Sequence, residues 1–299
     1  MAPADEQYLP KVPKKIWFLW LQGLEGSPPL VRACRNSWLT NNPTWDFHFL
    51  SYDNLATYSD IDIAAFDHLG KSQLADLIRL DLLRRHGGVW ADATCFCVRD
   101  LDSWLPAYTK SGFFAFEKPG RDRAIASWFL ASAPNNLLVK SLHSALSRHL
   151  GNPNLSNDGK RVRCAILARL LSVNLWTTRL WFSSTVVNIF RVYPYFAFHY
   201  MFAELIRKDR QCAAIWAATP RLSANIAHRL QSVGLFSAIE PAIRREIDEK
   251  HAPLYKLSWK YDPGRPTEGC TLAYLLEVQT PVENDSARGL KIPVENDST

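Results

Sequence analysis

No run of about 18 uninterrupted apolar residues occurs in the chain, so the sequence offers no membrane span. The nearest candidate, Trp181 to Phe202, is interrupted by Asn188, Arg191, Pro194 and His199. The N-terminus, MAPADEQYLPKVPKK, lacks the apolar stretch of a secretory signal. Six cysteines in 299 residues follow neither a zinc-finger nor a disulfide-framework spacing. They read as reduced, mostly buried thiols in a cytoplasmic protein. At 21% charged and 12% aromatic the chain is too apolar to be disordered. Its length suits one large domain or two small ones, with a sizeable core either way. The formal charge of +6 is compatible with nucleic acid, a membrane surface or a phosphate-bearing small molecule, so the motifs must choose.

What is present begins with VPKKIWFLWL at 12–21, a short apolar run that predicts a buried first strand. The loop QGLEGSPP follows, then a helix from about Pro29 to Leu39 and a strand from Trp45 to Leu50. Strand, helix and strand at this scale predict a βαβ unit in an α/β fold. QLADLIRLDLLRR at 73–85 predicts an amphipathic helix with Leu74, Leu77, Ile78 and Leu82 on one side. Gly87 and Gly88 end it, and Val89-Trp90-Ala91 restarts as a buried strand running into Asp92-Ala93-Thr94. A strand at Phe113–Phe116 and a helix near Pro134–Leu150 follow, then a polar loop at 151–160. Residues 161–235 read as helical and aromatic-rich, and LYKLSWKY at 254–261 as a short late strand or ordered loop. PVENDS occurs at 281–286 and again at 293–298; two copies make no solenoid, and 280–299 reads as a polar disordered tail. That tail carries −2, which leaves +8 on the rest.

The chemistry concentrates in SQLADLIRLDLLRRHGGVWADAT, residues 72–94. Asp76 and Arg79, three apart, share a helix face. Asp92 ends a strand, and in α/β sheets ligands bind beyond the carboxyl ends of strands. A carboxylate there can hold a ribose hydroxyl or a hard cation, which often takes one or two carboxylates and completes its shell with substrate phosphates. On spacing alone, an N-capping Asp92 and a surface Asp76–Arg79 ion pair remain the plain alternative. Asp60-Ile61-Asp62 and Asp100-Leu101-Asp102 lack the preceding Gly-Gly strand and read as solvated turns.

This segment resembles the signature of the GT-A glycosyltransferases related to family 32 and the clostridial glucosylating toxins: a helix with S-D-x-x-R, a Gly-Gly pair, and a strand ending in D-x-D. It is more similar still to the capsular polysaccharide synthesis protein branch, whose text runs GGVW-x-DAT; here Ala75-Asp76-Leu77-Ile78-Arg79 precedes Gly87-Gly88-Val89-Trp90-Ala91-Asp92-Ala93-Thr94. PKKIWFLWLQG (13–23), RAIASWFLASAPNN (123–136), YPYFAFHYMF (193–202) and LYKLSWKY (254–261) resemble further pieces of that family, in order, over about 12–261.

The resemblance implies a GT-A-like, Rossmann-type nucleotide-sugar-binding sheet with an added helical aromatic-rich subdomain. It divides the chain into a lead (1–11), a donor-binding core (12–150), a helical acceptor-side part (151–235), a return to the core (236–279) and the tail (280–299). It implies a hexosyltransferase that moves a sugar from a UDP-sugar to an acceptor hydroxyl with retention, the acceptor being a saccharide or a small hydrophobic metabolite. A degenerate domain that binds the nucleotide sugar without transferring it is the alternative. Trp20 is implied to stack on the base, Asp92 to contact ribose and sugar hydroxyls, Asp76 and Arg79 to fix the donor sugar, and Ser258 and Trp259 to donate to the diphosphate. Lys260 beside that loop is a candidate for replacing lost positive charge, and His199 and Trp181 are candidates for the acceptor side. Thr94 stands where the family has its second, metal-binding carboxylate. A hydroxyl is a poorer ligand for Mn or Mg, although Asp92 with a nucleotide diphosphate could still hold one ion. The Lys and Arg residues are dispersed rather than interleaved with exposed aromatics, which argues against nucleic acid.

Overall fold

A computed structural model of the protein describes residues 11–258, 260 and 268–278. Its first half builds a sheet around three buried stretches. Strand β1 (Lys15–Leu19) leads into helix α1 (Pro29–Asn41), strand β2 (Asp46–Leu50) and a single turn, α2 (Leu55–Tyr58). Helix α3 (Lys71–His86), β3 (Gly88–Ala91), β4 (Cys95–Cys97) and the short α4 (Leu105–Tyr108) come next. A long hairpin, β5 (Phe113–Gly120) and β6 (Arg123–Ser132), and α5 (Leu137–Leu150) complete this half. Helices α6 (Arg161–Leu171), α7 (Ala197–Lys208), α8 (Arg210–Ala218), α9 (Ala224–Val233) and α10 (Pro241–Asp248) follow. Strand β7 (Leu254–Lys256) and α11 (Thr271–Val278) come last among the described elements.

The central sheet has the order β2-β1-β3-β6-β5. The β1–β2 and β1–β3 pairs are parallel, whereas β6 runs antiparallel to both β3 and β5. This is the α/β class read from the sequence, a mixed sheet with helices packed around it. The β1-α1-β2 unit forms where the strand–helix–strand pattern placed it. A second, two-stranded sheet pairs β4 with β7. The sequence pattern predicts neither β4 nor β6. β4 is only three residues long, and its partner lies more than 150 positions away, so no local pattern marks it.

Two apolar clusters cover the two faces of the sheet. Ile16, Phe18, Val89, Ala91, Phe114 and Phe129 face one, and Trp17, Leu19, Trp90, Ala115 and Leu130 the other. This alternation is the period-two geometry of strands buried on both sides. Helix α3 was expected to be amphipathic, yet both its apolar and several of its polar positions are buried, Asp76, Arg79 and Asp81 among them. It lies under α5 and α7 as well as against the sheet, so its polar face meets protein rather than water. Asp81 there accepts from Ser59 Oγ at 2.6 Å and pairs with Arg84, which satisfies a carboxylate that burial would otherwise penalise.

The Gly87-Gly88 pair is needed for two separate reasons. Gly87 caps α3 with φ 65° and ψ −161°, a region essentially reserved for glycine. Gly88, with φ 97°, passes so close to β1 that an added Cβ would sit 2.7 Å from the Lys15 carbonyl oxygen. A third cluster, Leu167, Trp181, Val186, Val192 and Tyr200, gives the helical region a small core of its own.

Candidate functional site

The parallel register Ile16↔Val89 and Trp17↔Trp90 brings β1 and β3 to a common carboxyl edge. Trp20, just beyond β1, and Asp92, just beyond β3, therefore emerge side by side at that edge, where open α/β sheets bind ligands. The turn after Asp92 is closed by the Cys95 amide donating to the Asp92 carbonyl at 2.8 Å. It is braced from below by α1, whose Trp38 Nε1 donates to Cys95 O at 2.8 Å. Ser37 Oγ also accepts from Cys97 N, so Thr94 is presented at a fixed position.

Arg79 is the centre of the cluster. Its Nη1 lies 2.8 Å from Asp76 Oδ1, and its Nη2 donates to Asp92 Oδ1 at 3.2 Å. Nη1 also donates to the Ser127 carbonyl on β6 at 2.9 Å. The guanidinium carbon stands 5.0 Å from the centroid of Trp90 and 5.9 Å from that of Phe198. Asp76 and Arg79 are each only 4% exposed, so the surface ion pair that spacing alone allowed does not form. Burial pushes the Asp76 carboxyl up to about 7, against the attraction of Arg79 and with a further push from Asp92.

Asp92 uses its two oxygens differently. Oδ1 accepts from both Arg79 and Trp90 Nε1, the latter at 2.8 Å. Its side chain is 28% exposed, and Oδ2 faces Lys256, whose Nζ is 3.9 Å away. Lys256 Nζ also donates to Thr94 Oγ1 and, at 3.3 Å, to Leu257 O. As a divalent-cation site this set fits poorly: one carboxylate oxygen and one neutral hydroxyl, both already facing an ammonium group.

Several buried polar atoms beside this cluster have no partner among the described residues: Arg79 Nε, Trp128 Nε1, His199 Nδ1 and His228 Nε2. Buried polar groups are normally paired, and these atoms are ones that a bound polar group could satisfy. His199 is held neutral by burial and by the charges of Arg123 and Arg79, and stands edge-on to Phe196 and Phe198. His228 is shifted the same way by burial, Lys256 and Arg123.

The structure thus unites Asp76, Arg79, Asp92 and Thr94, with His199 close enough to feel the Arg79 charge. Ser258 follows the strand that delivers Lys256, and its Oγ accepts from the backbone amide of Lys260, an exposed residue. Trp259 and 280–299 lie outside the described residues. Trp181 is not part of the cluster: it is buried in the third core, donating to Ser172 Oγ at 3.1 Å. No sequence motif singles out Lys256, Ser127, Arg123 or His228, which the fold brings to or beside the cluster. A faint signal existed for Lys256, since LYKLSWKY holds two lysines and only the β4–β7 pairing shows which one reaches Thr94.

A model of the family described as capsular polysaccharide synthesis protein matches residues 3–158, just over half of the chain. The chain belongs to this capsular polysaccharide synthesis protein family. The match contains β1, α3, the Gly-Gly pair and the Asp92–Thr94 turn, but not β7 with Lys256. Among curated proteins the chain is similar to a "Probable glycosyltransferase FCK3" of Fusarium pseudograminearum, at 29% identity over 173 residues, 52% of this chain and 43% of that protein. It is also similar to the "O-glycosyltransferase braB" of Annulohypoxylon truncatum, at 27% identity over 150 residues, 42% of this chain and 35% of that protein. The chain therefore matches less than half the length of these relatives. A solved "PaToxG Glycosyltransferase" structure superposes with a TM-score of 0.41 at 11% identity, covering 81% of this chain and 86% of that one. No helix among the described residues is long and apolar enough to cross a membrane.

Proposed function

We propose that this member of the capsular polysaccharide synthesis protein family is a glycosyltransferase. In this reading it moves a hexosyl group from a UDP-sugar to an acceptor hydroxyl with retention of anomeric configuration. The observation that carries the reading is Arg79, buried and clamped between Asp76 and Asp92 at the carboxyl edge of β3. Glycosyl transfer develops positive charge at the anomeric carbon and negative charge on the departing diphosphate. A fixed guanidinium between carboxylates binds sugar hydroxyls through both kinds of group without reorganising, which is how a site lowers the cost of orientation. The relatives' names support glycosyl transfer, and the likeness of 72–94 to the family signature supports the UDP-sugar and the retention.

Within this reading Asp92 Oδ2 accepts from donor hydroxyls and Asp76 with Arg79 fixes the sugar. Trp20 stacks on the base, and Ser258 and Trp259 close over the diphosphate with Lys260 at the rim. The sheet with its late return, 12–150 and 236–279, serves as the donor side, and 151–235 as the acceptor side. His199 would face a saccharide or small hydrophobic acceptor, while Trp181 would shape that region from behind. Six thiols, all free, suit a reducing compartment such as the cytoplasm.

The test is nucleotide release from a panel of UDP- and GDP-sugars by the full chain, with excess Mn²⁺ and separately with EDTA. Turnover of at least one donor is expected. Binding without turnover under every condition would instead identify a degenerate domain that holds the nucleotide sugar and transfers nothing.

A further inference from the structure

Taking the cluster as a nucleotide-sugar site, as proposed above, we propose that Lys256 occupies the place of the divalent cation and that the diphosphate is held without metal. Three observations converge on this. Thr94 removes the second carboxylate from the strand end. The Lys256 ammonium donates to the Thr94 hydroxyl and to Leu257 O at 3.3 Å, and stands 3.9 Å from Asp92 Oδ2. Its position is built in: the side chain is 18% exposed, and its backbone is fixed opposite Cys95 in the β4–β7 ladder.

A hard cation bound to Asp92 and Thr94 would sit about 2.0–2.6 Å from their oxygens, among the same atoms that the ammonium addresses. The two positive centres would compete for one small volume. An ammonium needs no second carboxylate, since its three donors satisfy a hydroxyl, a carbonyl and a phosphate oxygen. With Asp92 Oδ1 already committed to Arg79 and Trp90, the ammonium is placed to neutralise the leaving diphosphate. Lys256 is a binding residue for that group, replacing an ion with a side chain of the fold.

The test is the Kd for UDP and GDP, by calorimetry on the full chain, in EDTA and in excess Mn²⁺. Wild type is expected to bind its preferred nucleotide equally in both. Lys256→Ala should bind at least about tenfold more weakly in EDTA, the order of one charge-assisted hydrogen bond, and Lys256→Arg should recover most of the loss. Thr94→Asp/Lys256→Ala should bind only with Mn²⁺, with thermal unfolding confirming that each variant folds. Mn²⁺-dependent binding by wild type, or unchanged binding by Lys256→Ala, overturns the metal-free proposal and leaves the donor site standing. Failure of wild type to bind any nucleotide in either condition overturns the donor site itself.

A second inference rests on a different surface. Helix α6 is exposed along most of its length, with Val162, Ile166 and Leu170 four apart on one stripe. Val173, Leu175, Trp176, Leu180 and Ile189, in the segment that follows, are exposed as well, Trp176 being 71% exposed. No Asp or Glu occurs from Gly159 to Ala203, whereas Lys160, Arg161, Arg163, Arg169, Arg179 and Arg191 lie within it. An exposed apolar stripe in a segment whose charged residues are all Lys or Arg is the chemistry that an anionic membrane interface complements. The geometry points to this face docking on anionic lipid, lying on the bilayer without crossing it.

Co-sedimentation with vesicles of phosphatidylcholine, with and without phosphatidylserine, tests it. The chain should pellet with serine-containing vesicles, less so as salt rises, and Ile166→Asp/Leu170→Asp should abolish this while the Kd for UDP and the thermal unfolding stay unchanged. Absence of lipid binding by wild type overturns it. So does a dimer, seen by light scattering, that the same substitutions dissolve, since a second copy would then be what covers the face.

Discussion

Asp92 and Arg79 show how one side chain at the end of a strand can organise several others. Arg79 bridges Asp76 and Asp92; it is the cation paired with Asp76, and it shares Asp92 with Lys256. Removing one member of a buried ion pair typically costs about 3–5 kcal/mol, because the partner's charge is left uncompensated. Arg79→Ala should therefore lower stability by about that amount, measured by denaturant unfolding, and Arg79→Lys should recover stability better than activity because an ammonium lacks the two-armed geometry. A second residue-level expectation concerns pH. Burial pushes His149 down to about 4, with its ring edge-on to Phe182. The unfolded chain binds more protons than the folded one between about 4 and 6.5, so this group's contribution to stability is full above 6.5 and declines as pH falls toward 4. His149→Gln should flatten the stability–pH slope in that window by about 2 kcal/mol in total, after allowing for partial exposure. Asp76 acts in the opposite sense between its ordinary value and about 7, a slope that His149→Gln leaves in place. The residues of 72–94 were legible because a single helix–turn–strand carries them. Lys256, Ser127 and Arg123 reach the site from remote strands, and nothing in their local sequence marks that convergence.

At the level of elements, the Gly-Gly turn sets the distance between α3 and the site edge. Gly88→Ala puts a methyl group against the backbone of Lys15 at a positive φ, with no flexible neighbour to yield. We expect a loss of about 3 kcal/mol, the scale of a strained backbone position with a clash, seen as a lower urea midpoint at an unchanged slope. β1, α1, β2, α3 and β3 were readable because each is a local pattern, with asparagine ending α1 and glycine ending α3. α3 differed in one respect: its polar residues face other helices, so a pattern that resembles a solvent face is buried chemistry. The β4–β7 ladder was not readable, because only the tertiary fold shows that a three-residue segment after Asp92 pairs with residues 254–256.

At the level of the whole molecule, the family match at 3–158 ends well before β7, so the segment that supplies Lys256 lies outside it. Arg79 and Lys256 are matched by Asp76 and Asp92, so the interior cluster adds nothing to the formal net charge of +6, whereas the acid-free segment 160–191 alone carries six Lys and Arg residues. The central claim is that the carboxyl edge of β3 holds and turns over a nucleotide sugar. Its most direct measurement compares donor turnover, by nucleotide release, in wild type and Asp92→Asn, with thermal unfolding recorded for both. The substitution preserves shape but takes a negative charge from between Arg79 and Lys256, so the unfolding temperature should fall while the protein stays folded, and turnover should fall about 10²–10³-fold, the scale of losing one preorganised charged contact. Near-wild-type turnover by a folded Asp92→Asn protein would contradict the account.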